Sequence, residues 1–380
     1  MSKDITIRKG LNIRLNGAAE EKISNAPRSK TFAIRPADFH LILPRMAIKE
    51  GAKVKVGDVI FYSRSNEDMK FVAPFSGTLT AIERGARRVI TRLVFDVDEQ
   101  DEYVDFGSLD VKSASVDQIK EKWLAGGCWP FIMQRPYDII ANPDTSPRDI
   151  FISGFTSAPL ANNYSFSLQG KEKEIQAAID ALAKVTTGKI HVGIEKGKTS
   201  VFDSINGIEK TSVSGPHPAG NVGTQINYIA PVNKGEIVWT VSAPDLVIMG
   251  ELLLTGKFNA ERAIVLAGSS VKAPKYYKTR IGAEMSTFVY DAGLNEEHVR
   301  VISGDVLTGV KAALDGHLNY RASTVTVIPE GDDYELFGWT KPVFNKIPMS
   351  RALTFSWLNP QKKYSLNTNT NGEHRAFEVT

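Results

Sequence analysis

The sequence predicts an α/β protein built from several domains. At 380 residues the chain is longer than one hydrophobic core usually supports, so about two to four domains are expected. Short strands separated by turns dominate residues 44–98, which predicts a β-rich unit. Strand, helix and strand patterns follow one another between residues 150 and 194, and this order is typical of a crossover in a partly parallel sheet.

Residues 1–43 are predicted to supply short strands that pack on the body of the protein. Apolar residues alternate with polar ones on both sides of Gly10, which predicts two strands there. The alternating residues are Ile5, Ile7, Leu11, Ile13 and Leu15.

Residues 44–110 place short apolar strands around Gly-containing turns, in KVKVGDVI and VAPFSGTLTAI. This pattern resembles the barrel-sandwich hybrid of lipoyl and biotinyl carrier domains. Such a carrier needs its modified lysine at the tip of an exposed hairpin. Lys70 instead lies almost against the Ala73-Pro74 turn. The sequence therefore favours the carrier fold without its prosthetic group.

Residues 111–258 change to helical periodicity and predict a Rossmann-like α/β domain. Ser115, with Gln118 three residues later, forms a capping-box pattern for a helix that ends at Gly126. The expected crossover consists of a strand at 150–152, a helix at about 171–185 and a strand at 190–194.

The segment GIEKGKT at residues 193–199 is similar to a phosphate-binding loop but has three residues where that loop has four. The sequence that follows does not predict the helix such a loop needs. No GxGxxG motif occurs either. A nucleoside triphosphate site and a dinucleotide site of the usual kind are therefore not predicted.

Residues 259–312 predict a hairpin, one short helix and a final strand, a pattern that resembles the soluble-ligand-binding β-grasp (SLBB) domain. Residues 313–380 are expected to be a C-terminal extension, whose alternating Val325 and Val327 and FGW segment at 337–339 predict strands packed on the body. The last residues are polar and carry no stop signal, so the chain is expected to be truncated.

Composition excludes several classes of function. A net charge of +3, with basic residues scattered along the chain, does not favour a nucleic-acid partner. Cys128 is the only cysteine, which excludes disulfides within the chain and cysteine-ligated iron–sulfur clusters. The six histidines fit no metal-ligand spacing, and no GxSxG or HExxH motif occurs. Neither a catalytic residue nor a metal site is predicted.

Two Arg-Pro segments interleaved with aromatic residues are the best candidates for ligand binding. The first is TFAIRPADFHLIL at 31–43 and the second is WPFIMQRPYDII at 129–140. An aromatic wall with one or two polar donors suits a planar ligand that carries carbonyl groups, such as a quinone. The glycine- and proline-rich loop SGPHPAGNVGT at 214–224 adds His217, and histidine is the side-chain type whose unperturbed pKa lies closest to neutrality. The predicted quinone-binding residues are Arg35, Phe39, His40, Trp129, Phe131, Arg135, Tyr137, His217 and Gly220. Alternatively, the aromatic residues belong to the core and each arginine caps a helix or pairs with a carboxylate.

Taken together, the motifs VGDVIF, APFSGTLTAIERGARRVI, WPFIMQRPYDII, SGPHPAGNVGT, RVISGDVLTG and ELFGW resemble those of the A subunits of bacterial sodium-translocating NADH:quinone reductases. The resemblance covers essentially the whole chain. It implies a soluble subunit on the cytoplasmic face of the bacterial inner membrane, docked on the membrane subunits and chiefly on the B subunit. The complex moves electrons from NADH to ubiquinone or menaquinone and exports Na⁺.

The same resemblance implies that quinone is the substrate, and that NADH, FAD or FMN, and Na⁺ are used elsewhere in the complex. In the related flavin subunit of complex I, a GGAGFPT-type loop binds flavin. Here the corresponding loop reads GGCWPFIMQ, and Trp129 and Phe131 replace small residues. We therefore expect no flavin or iron–sulfur cluster on this chain and no catalysis by the chain alone. The alternatives are a flavoprotein dehydrogenase and a purely structural assembly subunit.

Overall fold

The computed structural model describes residues 3–331 and 363–369, which form four β-sheets and six α-helices. The strands are β1 (Lys3–Thr6), β2 (Glu20–Asn25), β3 (Thr31–Ile34), β4 (Pro44–Met46), β5 (Lys53–Val54), β6 (Val59–Ser63), β7 (Asn66–Val72), β8 (Gly77–Arg84), β9 (Ile90–Val97), β10 (Met133–Arg135), β11 (Ile139–Ile140), β12 (Ile150–Ser153), β13 (Ile190–Glu195), β14 (Glu209–Ser214), β15 (Val238–Thr240), β16 (Glu261–Ala267), β17 (Lys275–Arg280), β18 (Val299–Ser303), β19 (Val310–Ala312) and β20 (Thr324–Pro329). The helices are α1 (Val116–Ala125), α2 (Tyr164–Ser167), α3 (Glu172–Val185), α4 (Val222–Ile229), α5 (Ala243–Thr255) and α6 (Ser286–Ala292).

The first domain pairs two small antiparallel sheets, β3-β9-β8-β5 and β4-β6-β7. Aromatic rings fill its centre because strand residues alternate between the core and the surface. Phe32 stacks on Phe95 at 4.3 Å between ring centroids, and Phe61 stacks on Phe71 at 4.4 Å. Lys70 lies within β7, opposite Tyr62, and therefore is not at a hairpin tip.

The second domain is built on the sheet β1-β14-β13-β12-β15-β10-β11. The strands β1, β14, β13, β12 and β15 run parallel to one another. β10 pairs antiparallel with β15, and β11 pairs antiparallel with β10. Ile150 and Ile152 face the core that contains α3 and α5, while Phe151 between them packs with Ile226 of α4 on the opposite face. Helices therefore cover both faces, as the strand, helix and strand pattern predicts.

The strands of this sheet are added on both sides of β12, so the order of addition reverses direction there. From β12 the chain moves outward through β13 to β14, and it then returns to place β15 on the other side of β12. This reversal of direction separates the loops that follow β12 and β15, and it opens a crevice at the carboxyl ends of those two strands.

The third domain has the sheet β19-β18-β20-β16-β17-β2, with α6 packed on it. The predicted strand around Val325 and Val327 is confirmed as β20, which lies between β18 and β16. The FGW segment at 337–339 lies outside the described residues.

The expected second strand at residues 11–15 is not formed. Leu15 makes one isolated bridge to Tyr364, and Leu11 is 55% exposed. The backbone N–H of Leu11 donates instead to the carbonyl of His217 (3.0 Å), in a loop of the second domain. The polar segment Glu20–Asn25 forms the next strand, β2, at the edge of the third sheet.

Candidate functional site

A cavity of about 660 Å³ lies between the second and third domains. Ser153 and Thr240, the last residues of β12 and β15, line it, so it occupies the crevice where the strand order reverses. In open α/β sheets this is the usual position for a ligand. The third domain contributes Asp305, Thr308, Arg321, Ser323 and Thr324 to the wall.

Two helices begin at the cavity wall. Asn221 precedes α4 and Ser242 precedes α5, and both residues line the cavity. Neither side chain accepts a hydrogen bond from the first turn of its helix. The first backbone N–H groups of a helix have no partner within it and carry partial positive charge. At α4 this favours electronegative atoms in the cavity. The start of α5 offers fewer donors, because Pro244 has no N–H and the N–H of Asp245 donates to the carbonyl of Ser242 (3.1 Å).

Two guanidinium groups reach the same cavity. Arg135 forms an ion pair with Asp138 at 3.2 Å, and both residues line the wall. The Nη2 of Arg321 donates to the carbonyl of Pro130 (2.6 Å). Within the described part of the chain, the buried Nε of each arginine has no hydrogen-bond partner. Both Nε atoms are shielded from the cavity as well as from bulk water, so each is a buried donor left without a partner.

A buried ion pair lies beside the cavity, and its Asp245 forms part of the wall. Asp245 in the first turn of α5 accepts from Arg262 of β16 at 3.0 Å, and the two side chains are 1% and 2% exposed. Burial raises the pKa of the Asp245 carboxyl, and the charges of Arg262 and Arg321 oppose that rise. Since α5 and β16 belong to different domains, the pair joins the second domain to the third.

Tyr320 brings the two predicted Arg-Pro segments together. The Phe39 ring meets it edge-on at 4.6 Å, and the Phe131 ring stacks on it at 5.3 Å. The backbone N–H of Tyr320 donates to the carboxylate of Asp38 (3.0 Å). Burial raises the pKa of the Tyr320 phenol, so the hydroxyl stays neutral. The cluster supports Phe131, which forms part of the cavity wall.

Phe131, Arg135 and Gly220 are the predicted site residues that line the cavity. Gly220 allows close packing here, because a Cβ at this position would lie 2.5 Å from the backbone nitrogen of Ser157. His217 lies further out, with its Nδ1 3.0 Å from the Ser157 hydroxyl, and Ser157 lines the cavity.

The other predicted residues lie outside the cavity wall. Trp129 is fully buried, donates its indole N–H to the carbonyl of Ala141 (2.7 Å) and meets the Trp239 ring at 5.6 Å. Phe39 is 2% exposed. Arg35 pairs with Asp38 at 2.8 Å. His40 is exposed, and Tyr137 is 78% exposed. Their contact with quinone stays a prediction.

The sequence analysis missed Ser157, Tyr320 and Arg321. The signal that could have identified Tyr320 and Arg321 is an aromatic residue next to an arginine. The two predicted segments have the same combination together with a proline. Ser157 carries no motif, because its position depends on the loop after β12.

Among residues 3–331 and 363–369, no group of three or more His, Cys, Asp or Glu side chains is arranged to hold a metal ion. None of the helices in those ranges has the length and apolar character needed to cross a bilayer.

Comparison with known proteins covers most of the chain. The NqrA N-terminal barrel-sandwich hybrid domain matches residues 5–98, the NqrA second alpha/beta domain matches 114–258, and the NQRA C-terminal (SLBB) domain matches 263–313. The predicted combination of barrel-sandwich hybrid, α/β and SLBB folds is therefore confirmed. An NAD⁺-reducing NiFe-hydrogenase aligns with 49% of this chain and 41% of its own, at 14% identity and a TM-score of 0.35, which is too weak a likeness to bear on function.

The similar curated proteins agree with one another. The A subunit of the Na(+)-translocating NADH-quinone reductase of Yersinia pestis bv. Antiqua (strain Angola) is 33% identical over 98% of this chain and 84% of its own length. The same subunit of Hahella chejuensis is 31% identical with the same coverage, and that of Neisseria meningitidis serogroup B is 32% identical. The resemblance found in the sequence is confirmed, and the chain belongs to the family of A subunits of Na⁺-translocating NADH-quinone reductases.

Proposed function

We propose that this protein holds the quinone headgroup in the cavity between its second and third domains. The observation that carries the proposal is the convergence of one aromatic ring, Phe131, and two guanidinium groups, Arg135 and Arg321, on one cavity wall. The relatives are named as subunits of a reductase that uses NADH and quinone, which makes quinone the natural ligand to test.

The wall matches the chemistry of a quinone. Phe131 is 1% exposed and stacks on the buried Tyr320, so it forms a rigid apolar part of the wall beside which a planar headgroup can lie. The guanidinium groups of Arg135 and Arg321, which line the cavity, can donate to the carbonyl oxygens. As the quinone gains electrons, its oxygens become more negative, and the start of α4 stabilises that charge.

The remaining parts of the reaction belong to other subunits in this proposal. NADH, the flavins and Na⁺ act elsewhere, so this chain holds no redox cofactor and does not catalyse quinone reduction alone. Its partners are the other subunits of the reductase, chiefly the membrane-embedded B subunit, reached from the cytoplasmic side of the inner membrane. The family supports this arrangement, because the relatives are named as one subunit of a Na⁺-translocating complex.

We test quinone contact by calorimetric titration of the chain with a short-tail ubiquinone analogue. Saturable binding is expected, and Arg135→Ala and Phe131→Ala should each weaken it by about 1–3 kcal/mol, the cost of an unpaired polar group or a lost aromatic contact. Arg45→Ala is the matched control, because Arg45 pairs with Glu67 on the surface, where the two side chains are 60% and 65% exposed. Phe131→Leu keeps an apolar side chain but removes the aromatic ring, so it separates the contribution of the ring to quinone affinity from that of side-chain volume.

An assembly subunit without a ligand site is the second candidate, favoured by the burial of Trp129, Phe131 and Phe39 in the core and by the pairing of Arg35 and Arg135 with aspartates. It predicts no quinone binding by the folded chain and wild-type quinone affinity when Arg135→Ala is placed in the assembled complex. A flavoprotein dehydrogenase would instead give a purified chain with the visible absorbance of bound flavin.

A further inference from the structure

The hydroxyl of Ser157 connects the cavity to a histidine. Its Oγ lies 3.0 Å from Nδ1 of His217 and accepts a hydrogen bond from the backbone N–H of Gly220 (2.8 Å). Ser157 lines the cavity, whereas His217 is half-buried behind it. The side chains therefore lead from the cavity, through one hydroxyl and one imidazole, towards the surface.

His217 is held in place by the N-terminal segment. Its backbone N–H donates to the side-chain oxygen of Asn12 (3.1 Å), and its carbonyl accepts from the N–H of Leu11 (3.0 Å). Pro216 and Pro218 on either side restrict the backbone further. The Gly220 N–H in turn fixes the position of the Ser157 oxygen. Both groups are thus held at hydrogen-bond distance before any ligand binds.

We propose that Ser157 and His217 form a proton relay that delivers solvent protons to quinone reduced in this cavity. The inference rests on the proposed function, because it needs the quinone oxygen to lie beside Ser157. A hydroxyl can rotate, so it can accept a proton from one neighbour while it donates to another, and imidazole can carry protons on both nitrogens. Ser157 faces the substrate, and His217 acts through it.

The proton balance is simple. Reduction of a quinone to a quinol takes two electrons and two protons, and the electrons come from NADH through the reductase. For each proton, the O–H bond of Ser157 breaks as an O–H bond forms on the reduced quinone oxygen. The Nδ1 proton of the His217 imidazolium passes to the Ser157 oxygen, which leaves a neutral imidazole. The neutral ring keeps its Nε2 proton, so the imidazole turns to bring Nδ1 to solvent, where water returns a proton to it before the second transfer.

The test uses the assembled reductase carrying variants of this chain, with NADH and a short-tail ubiquinone analogue as substrates. His217→Ala and Ser157→Ala should each lower kcat by roughly tenfold or more while KM for the quinone changes little, because general acid catalysis acts on the chemical step. Added imidazole should restore part of the rate of His217→Ala, and Ser157→Thr, which keeps the hydroxyl, should retain most of its rate. His298→Gln, at an exposed histidine of the third domain, is the control.

Three results would overturn the relay: wild-type kcat in His217→Ala, wild-type kcat in Ser157→Ala, or a loss in His217→Ala that imidazole does not restore. The calorimetric titration distinguishes this failure from that of the proposed function. If Arg135→Ala weakens quinone binding but His217→Ala turns over normally, only the relay is wrong. If neither Arg135→Ala nor Phe131→Ala changes binding, the quinone lies elsewhere and both proposals are wrong.

Discussion

At the scale of single residues, the Asp245–Arg262 pair has the clearest energetic consequence. Both side chains are at most 2% exposed, so removal of one leaves the other charge buried without its partner. We expect Arg262→Ala to lower the free energy of unfolding by about 3–5 kcal/mol. Replacement of both residues by apolar ones of similar volume should cost much less. Denaturant unfolding measures both effects.

The control for this pair is Arg45→Ala, which breaks the exposed pair with Glu67 and should change stability by less than about 1 kcal/mol. If Arg262→Ala lowers the free energy of unfolding by no more than the control does, the buried pair does not have the predicted effect on stability.

His317 gives a prediction about pH. Burial, together with the nearby charge of Arg92, lowers the pKa of His317 to about 4. The folded protein therefore keeps this histidine neutral, while the unfolded chain binds a proton below its ordinary pKa of 6.5. The resulting stability is complete above pH 6.5 and is lost as the pH falls towards 4, by up to about 3 kcal/mol.

His317→Gln should remove this contribution and flatten the dependence of unfolding free energy on pH across that window. Denaturant titrations of the two proteins at a series of pH values provide the measurement. If unfolding free energy changes equally with pH in the wild type and in His317→Gln, the pKa of His317 is the same in the folded and unfolded states.

The candidate site shows which residues a sequence can reveal. Phe131 and Arg135 were predicted from one local motif, and they line the cavity. Trp129 and Phe131 are both core residues, but Phe131 also reaches the cavity wall, whereas Trp129 packs against Trp239. Arg321 could not be predicted, because its place beside Pro130 depends on packing between distant parts of the chain.

At the scale of elements, the contact between α3 and α5 depends on a glycine in the middle of a helix. A Cβ at Gly250 would lie 1.8 Å from the carbonyl oxygen of Glu174. Alanine is favoured over glycine within a helix by about 1 kcal/mol, but here the clash is with backbone, which cannot move aside as a side chain can. We therefore expect Gly250→Ala to destabilise the protein by about 1–3 kcal/mol in chemical denaturation.

Gly223→Ala is the matched control. Gly223 lies in the first turn of α4, and a Cβ there would have no atom within 4 Å. This substitution should be neutral or stabilising by up to about 1 kcal/mol. If both variants lose the same amount of stability, the loss in Gly250→Ala does not come from the close approach of α3 and α5.

Helices and strands that are marked by a local sequence motif were predicted correctly. The helix α1 begins with the expected capping box, in which Ser115 and Gln118 bond to each other's backbone N–H groups. In contrast, β2 has five exposed residues out of six and shows no apolar alternation, so its sequence resembles a loop. It is a strand because β17 offers a free edge, which only the tertiary structure reveals.

At the scale of the whole molecule, the N-terminal residues connect all three domains. β1 joins the second domain, β2 the third and β3 the first. The domain boundaries drawn from the sequence stay predictions, because this segment belongs to three sheets in turn. One hydrophobic core also continues from the first domain into the second, including Phe71, Trp123 and Phe131. We expect the orientation of the cavity walls to depend on this shared core.

The first Arg-Pro segment also presents apolar side chains to solvent. Leu41 is 74% exposed and Leu43 is 65% exposed, close in sequence to the buried Phe39. The proposed docking on the B subunit predicts that these side chains lie in that contact, so Leu41→Ser with Leu43→Ser should reduce incorporation of the chain into the reductase without lowering its own stability. Co-purification with the B subunit measures the effect, with Val89→Ser, at a residue 61% exposed, as the control. Normal incorporation of the double variant would place the docking surface elsewhere.

The most direct test of the central claim is a crystal structure of the chain with a short-tail ubiquinone analogue, at a concentration that saturates the calorimetric titration. The account predicts density for the headgroup against Phe131, with a carbonyl oxygen within hydrogen-bond distance of Arg135 or Arg321. Density at a different position, or a cavity that contains only water at saturation, would contradict it.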